Sequence, residues 1–254
     1  MIDSHCHLTD ERLLSQLEEV LARAAAAGVR RMITVGTDLA DAAAAVALCR
    51  GRENLRCAVG VHPNYCQEAE LTDLPRLREL QSDPAVVALG EMGLDYHHTF
   101  ADRARQARFF EHQLALAAEL GRPVIIHCRD AIDDALAVLR DHPTVPAVFH
   151  CFTGSVAEAE RILGAGYLLG YTGAATFKKA DELRESIRRT PHHQLLIETD
   201  APYLTPEPLR KQKTNEPALV RYVVDTIANM WGMTTDEIDA ITSANTARFF
   251  RWPL

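Results

Sequence analysis

Short apolar runs that end in polar residues alternate with longer amphipathic stretches, and this two-part unit recurs along the whole chain. The apolar runs are Met1–His5, Arg31–Gly36, Arg56–Val61, Val86–Glu91, Pro123–His127, Ala147–His150, Tyr167–Tyr171 and Leu195–Glu198. They read as continuously apolar rather than alternating, the pattern of strands covered on both faces. Helical spacing predicts helices over Glu11–Ala27, Asp38–Arg50, Ala101–Leu120, Ala131–Asp141, Ser155–Leu163 and Asp181–Arg189, with two more near Glu216–Met230 and Thr235–Phe250. Gly28, Gly121 and Gly166 follow helical runs, where a left-handed C-cap favours glycine. Ser155 and Thr235 stand at N-cap positions, and Glu158 completes a capping box with Ser155. Strands that alternate with helices imply a parallel α/β sheet. Eight such units in 254 residues predict one closed (β/α)8 TIM barrel spanning residues 1–254. An open doubly wound sheet would show similar local patterns, so the choice rests on where the polar residues fall.

In a barrel, side chains from different strands converge at the C-terminal ends of those strands. His5 and His7 end the first strand, one residue apart, and the period of two points both imidazoles the same way. Glu91 ends the fourth strand, His127 the fifth and His150 the sixth, and Asp200 follows the eighth. Four histidines and two carboxylates form a nitrogen and oxygen donor set suited to borderline divalent cations. Six donors exceed what one ion with an open position needs, so two ions bridged by a carboxylate are expected, with magnesium, manganese or zinc as candidates. Cys6, Cys128 and Cys151 each adjoin a proposed ligand and should face outward, as small buried residues.

Composition narrows the partners. The net charge is −8, which argues against gripping nucleic acid by charge alone and predicts a shallow salt dependence of any such binding. The six cysteines form no CxxC pair, so neither a zinc ribbon nor a redox dithiol is indicated. A disulfide framework is not expected in so long a chain with an ordinary core. No signal peptide and no membrane span can be read, and a cytoplasmic protein, monomeric and with no obligate protein partner, is expected.

Several segments together resemble the TatD-type metal-dependent deoxyribonucleases, which are amidohydrolase-like barrels. These are Asp3–Leu8, Gly60–Pro63, Gly90–Tyr96, His127–Ala131, Phe149–Gly154, Glu198–Leu204, Asn215–Pro217 and Asn245–Ala247, in the family's order. The resemblance implies a two-metal centre on the same six residues, His5, His7, Glu91, His127, His150 and Asp200, and hydrolysis of phosphodiester bonds in DNA, sometimes as a 3′-to-5′ exonuclease. One departure lies in Pro208–Pro217, where Leu209 replaces a usual histidine, Thr214 a usual basic residue, and one residue is inserted.

The expected chemistry has Glu91 shared between the cations and Asp200 accepting the proton of the attacking water. His62 is the candidate for holding a phosphate oxygen, Arg129 reads either as a rim residue or as a substrate contact, and Arg210, Lys211 and Lys213 form a candidate phosphate clamp. Asp95 and Tyr96 either line the pocket or fix the loop after the fourth strand, and the pairs His97–His98 and His192–His193 are expected not to bind metal. An amidohydrolase, lactonase or phosphotriesterase acting on a small metabolite is the alternative, although Glu91 stands where many such barrels carry a carbamylated lysine. A metal-binding module without catalysis and a tRNA-editing esterase are more distant readings.

Overall fold

The computed structural model describes residues 1–254. Its strands are β1 (Ile2–Cys6), β2 (Arg31–Val35), β3 (Leu55–Val59), β4 (Val86–Asp95), β5 (Val124–Arg129), β6 (Ala147–Phe149), β7 (Leu168–Tyr171) and β8 (Leu195–Ile197). They follow one another in the sheet in chain order. The helices are α1 (Glu11–Leu14), α2 (Leu17–Ala26), α3 (Leu39–Cys49), α4 (Leu74–Leu80), α5 (Arg103–Leu120), α6 (Ile132–Arg140), α7 (Val156–Gly164), α8 (Asp181–Arg189), α9 (Val220–Trp231) and α10 (Thr235–Phe249). None is long and apolar enough to cross a membrane.

The contacts divide the chain into two compact units, Met1–Thr34 with Cys151–Leu254, and Val35–His150. In the first, β1 pairs with β2, β7 pairs with β8, and Cys6 bridges to Ala201 just past β8. The core here includes Ile2, Leu8, Ile33, Leu169, Leu196 and Ile227, all essentially inaccessible to water. In the second unit β3, β4, β5 and β6 pair in succession, all parallel. All ten residues of β4 are buried, as the unbroken apolar run predicts.

Two strands run at least two residues further than the sequence reading placed them. β4 continues past Glu91 to Asp95, and β5 continues past His127 to Arg129. Gly93 permits the extension. It pairs with His127 at φ 137°, and a Cβ there would lie 2.0 Å from the His127 carbonyl oxygen. The predicted first helix is broken into α1 and α2 around Ser15 and Gln16, where the Ser15 hydroxyl turns back to the Glu11 carbonyl. The last helix is capped by Thr234 rather than Thr235, in a capping box with Glu237. Ser155 and Glu158 form the expected box at α7.

Ladder registers shift between Asp3 and Cys6 in β1 and between Leu89 and Met92 in β4. Each irregularity spans a proposed ligand, His5 or Glu91. Such bulges re-aim side chains beside functional sites.

Candidate metal centre

In the second unit, three imidazoles converge on one carboxylate oxygen. Glu91 Oε1 lies 2.7 Å from His150 Nε2, 3.0 Å from His127 Nδ1 and 3.3 Å from His62 Nε2. His150 Nε2 and His127 Nδ1 are themselves 3.5 Å apart. Burial alone would push the Glu91 carboxyl up, but the imidazoles of His150, His62 and His127 packed around it hold it well below the usual range. It is an anion ready to face a cation.

The tautomers separate ligands from donors. His127 directs Nε2 at Asp95 Oδ2 and Nδ1 at Glu91 Oε1, each 3.0 Å away, and against the effect of burial these two carboxylates hold its pKa up; a cation taking the Nδ1 lone pair would leave the hydrogen on Nε2 for Asp95. His62 is arranged the other way. Its Nδ1 accepts the backbone N–H of Asn64 at 3.0 Å, so Nε2 carries the hydrogen. Burial pushes its pKa down to about 4, and it stays neutral at neutral pH. His62 thus offers an N–H where His127 would offer a cation its Nδ1 lone pair.

Asp95 is the hub beneath these histidines. It is buried, and besides His127 it accepts His98 Nδ1 at 2.9 Å through Oδ2 and the backbone N–H groups of His97 and His98 through Oδ1. Two buried glutamines of α5 hold the strand ends in place. Gln106 accepts from the Asp95 N–H and donates to its carbonyl, and Gln113 does the same for Val61, next to His62. The loop-fixing alternative for Asp95 is therefore the observed one, with the added task of orienting His127. Tyr96 donates to Asp134 and packs under Arg103.

In the first unit, His5 Nε2 and His7 Nε2 lie 3.2 Å apart, and Asp200 Oδ1 lies 3.7 Å and 3.4 Å from them. Two imidazole nitrogens facing each other beside a carboxylate leave lone pairs that a divalent cation would satisfy together. The Asp200 turn is fixed from several sides. Asp200 donates its N–H to the His5 carbonyl, Thr199 donates twice to the buried Asp3, and Ala201 donates to the Thr199 hydroxyl. Asn215 donates its side-chain amide to the carbonyls of both Thr199 and Tyr203, bracketing Asp200. Burial, only partly offset by the Thr199 hydrogen bonds, pushes the Asp3 carboxyl up to about 8.

The ligating atoms of His5, His7 and Asp200 lie within 4.8 Å of one another, as do those of His62, Glu91 and His127. All six sequence-predicted ligands are thus in one of two clusters, with His150 drawn to the second by Glu91. Asp95, Gln106, Gln113, Asp3 and Asn215 were not recognised as the groups that hold these ligands. Gln106 and Gln113 had a signal, since they sit seven residues apart on the helix face that also carries Phe109, Phe110 and Leu114. Glu198 is buried too, accepting from the Cys151 N–H and the Ser4 hydroxyl. Gly170 makes room for it, because a Cβ there would lie 2.5 Å from Glu198 Oε2.

Arg129, Arg210, Lys211 and Lys213 are all exposed, and the Arg210 guanidinium lies 4.0 Å over the Phe177 ring. His97 faces Asp130 at 3.3 Å, and His192 stacks on Trp231. Cys6 is fully buried with its thiol on the Ile33 carbonyl, whereas Cys128 and Cys151 are only partly buried, and none of the six cysteines is in a disulfide.

The profile of the TatD-related DNase family matches residues 2–251. Over 99% of both chains, the sequence is 40% identical to the metal-dependent hydrolase YabD of Bacillus subtilis. It is 37% identical to a protein named 3′-5′ ssDNA/RNA exonuclease TatD from Erwinia amylovora, covering 98% of this chain and 99% of that one. The crystal structure of YjjV, a TatD homologue from Escherichia coli, superposes with a TM-score of 0.94 at 32% identity, covering 100% of this chain and 98% of that chain. Fold and site define a metal-dependent hydrolase on a (β/α)8 TIM barrel. The chain belongs to the TatD-related DNase family.

Proposed function

We propose that the chain hydrolyses phosphodiester bonds of nucleic acid, working as one catalytic domain with two divalent cations. The observation that carries this reading is the pair of clusters, one of His5, His7 and Asp200, the other of Glu91, His127 and His150, each with the donors one cation needs. In a barrel fold the functional side chains stand at the C-terminal ends of the strands, where the residues of both clusters fall. When bound, such cations lower the pKa of water and neutralise charge on phosphoryl oxygens.

The protein's own groups then have distinct tasks. Asp95 takes the His127 Nε2–H, which would leave Nδ1 free to bind a cation. Asp200 accepts the proton of the attacking water, as a carboxylate within hydrogen-bond reach can. His62 offers its Nε2–H to a non-bridging phosphate oxygen, a neutral donor that burial keeps from charging. Arg210, Lys211 and Lys213 contact outer phosphates, and Arg129 lies at the end of the strand that carries His127. Relatives named for nucleic-acid hydrolysis match over nearly the full chain, which favours this substrate over a small ester or lactone. Six cysteines outside any disulfide suit a reducing cytoplasm, and we include that location and a monomeric state in the proposal.

The test is a substrate screen with manganese, magnesium or zinc supplied in turn. Single-stranded DNA and RNA, a bis-aryl phosphodiester, esters and lactones are compared for the purified wild type and Glu91→Gln. Metal-dependent degradation of the oligonucleotides, lost in Glu91→Gln, is expected. Turnover of esters or lactones alone would overturn the phosphodiester assignment.

A further inference from the structure

The loops that follow β7 and β8 carry a concentration of positive charge that contrasts with the chain's net −8. Lys178 and Lys179 lie in the first loop and Arg210, Lys211 and Lys213 in the second, and all five are exposed. The two groups are some thirty residues apart in sequence, yet the fold staples their loops together. The Glu207 N–H donates to the Thr176 hydroxyl at 2.8 Å, and the Arg210 guanidinium covers the Phe177 ring at 4.0 Å. Gly173 lies so close to the second loop that a Cβ would come within 2.5 Å of the Leu204 carbonyl oxygen. Arg184 of α8 secures the first loop from beneath, donating to the carbonyls of Ala175 and Phe177 at 3.0 and 2.7 Å. Of the nearby acids, Asp181 is engaged by Arg184, leaving Glu182 and Glu207 against five cations.

This surface is continuous along the chain with the metal ligands. Tyr203, three residues beyond Asp200 and 48% exposed, sets its ring 6.1 Å from that of His7 at a steep angle. Arg12 lies 4.7 Å over the same ring. Asn215 and Asp200 hold its backbone. Aromatic rings interleaved with cations are what single-strand binding surfaces present, because unpaired bases stack while the backbone is neutralised.

We infer that the stapled loops form a binding track for single-stranded nucleic acid, with Lys178, Lys179, Arg210, Lys211 and Lys213 neutralising phosphates beyond the scissile bond and Tyr203 receiving a base beside His7. This rests on the phosphodiesterase reading and adds Lys178, Lys179 and Tyr203 to it. It also replaces the shallow salt dependence expected from net charge with a steep one.

The test is fluorescence anisotropy of a labelled, hydrolysis-resistant phosphorothioate oligothymidylate with the metal-loaded enzyme, repeated over a range of potassium chloride. The wild type is compared with Lys178→Gln/Lys179→Gln, Lys211→Gln/Lys213→Gln and the combined variant, each checked for unchanged thermal unfolding. For single strands each phosphate contact contributes about 0.7 to the slope of log affinity against log salt, so each pair should lower it by about 1.4 and the combination by about 2.8. Tyr203→Ala should weaken an oligonucleotide bearing bases more than an abasic one, by about tenfold. Slopes unchanged in both pairs, with a wild type that binds and cleaves, would overturn the track while leaving the nuclease reading intact. Equal affinity for a duplex of the same length would do the same. A wild type inert toward every nucleic acid would overturn the underlying reading.

Discussion

Asp95→Asn separates holding a loop from setting a tautomer, because the two oxygens of Asp95 do different jobs. Oδ1 accepts the backbone N–H groups of His97 and His98 at 3.0 and 2.9 Å, and an asparagine oxygen in that place keeps both bonds. Oδ2 accepts His127 Nε2 at 3.0 Å and His98 Nδ1 at 2.9 Å. Replacing Oδ2 by an amide NH2 sets a donor against the His127 Nε2–H. The imidazole is then driven to the other tautomer, with its hydrogen on Nδ1, aimed at Glu91, and no lone pair left for a cation. Losing such an orienting partner costs about 10- to 100-fold in metal affinity. That equals about 1.4–2.7 kcal/mol. Calorimetric titration of manganese or zinc into the metal-free variant should show one site weakened by that factor and a second, at His5, His7 and Asp200, little altered. Folding should survive with a loss of about 1–3 kcal/mol, since the mismatched donors are buried. Unchanged affinity at both sites would refute the tautomer argument and reduce Asp95 to a loop anchor.

Removing the donor in His62→Ala should lower kcat/KM for an oligonucleotide by about 10- to 100-fold, the size of a hydrogen bond to a charged group, while metal content measured by atomic absorption stays at the wild-type level. Loss of metal from that variant would make His62 a ligand instead. Asn215→Ala frees the carbonyls of Thr199 and Tyr203 and should destabilise the fold by about 1–3 kcal/mol in chemical denaturation, with a parallel fall in kcat. Full activity at unchanged stability would show that Asp200 is held by its other contacts. In the chelated protein the Asp3 carboxyl, raised to about 8, favours folding fully below its ordinary value near 3.8, and that contribution fades as pH rises through its folded value. Thermal unfolding followed across that range should fall with pH in the wild type and stay flatter in Asp3→Asn; parallel curves would exclude Asp3 as the cause.

The parts of the structure that announce themselves by a repeating pattern were legible in the sequence. Buried parallel strands are continuous apolar runs, and the candidate ligands stand at or just past the ends of those runs, so the residues that make up the two clusters could be named from the sequence. What escaped was set by tertiary contacts. Helix α4 has seven residues with Pro75 in its first turn and buries little beyond Leu77, too short a stripe to show a period. β4 and β5 extend past their ligands because Gly93 lets the strands meet, a fact about the neighbour rather than the run itself. Asp95 looked ambiguous because its role depends on which nitrogen of His127 it meets. The Lys178–Lys179 dipeptide carries no motif of its own, and only the fold brings the neighbouring Phe177 beneath Arg210.

The most direct measurement is anomalous diffraction at the manganese edge from crystals of the wild type grown with manganese. Two peaks are expected, one among His5, His7 and Asp200 and one among Glu91, His127 and His150, with Glu91 between them. A single peak, or density with neither cluster around it, would contradict the two-cation centre.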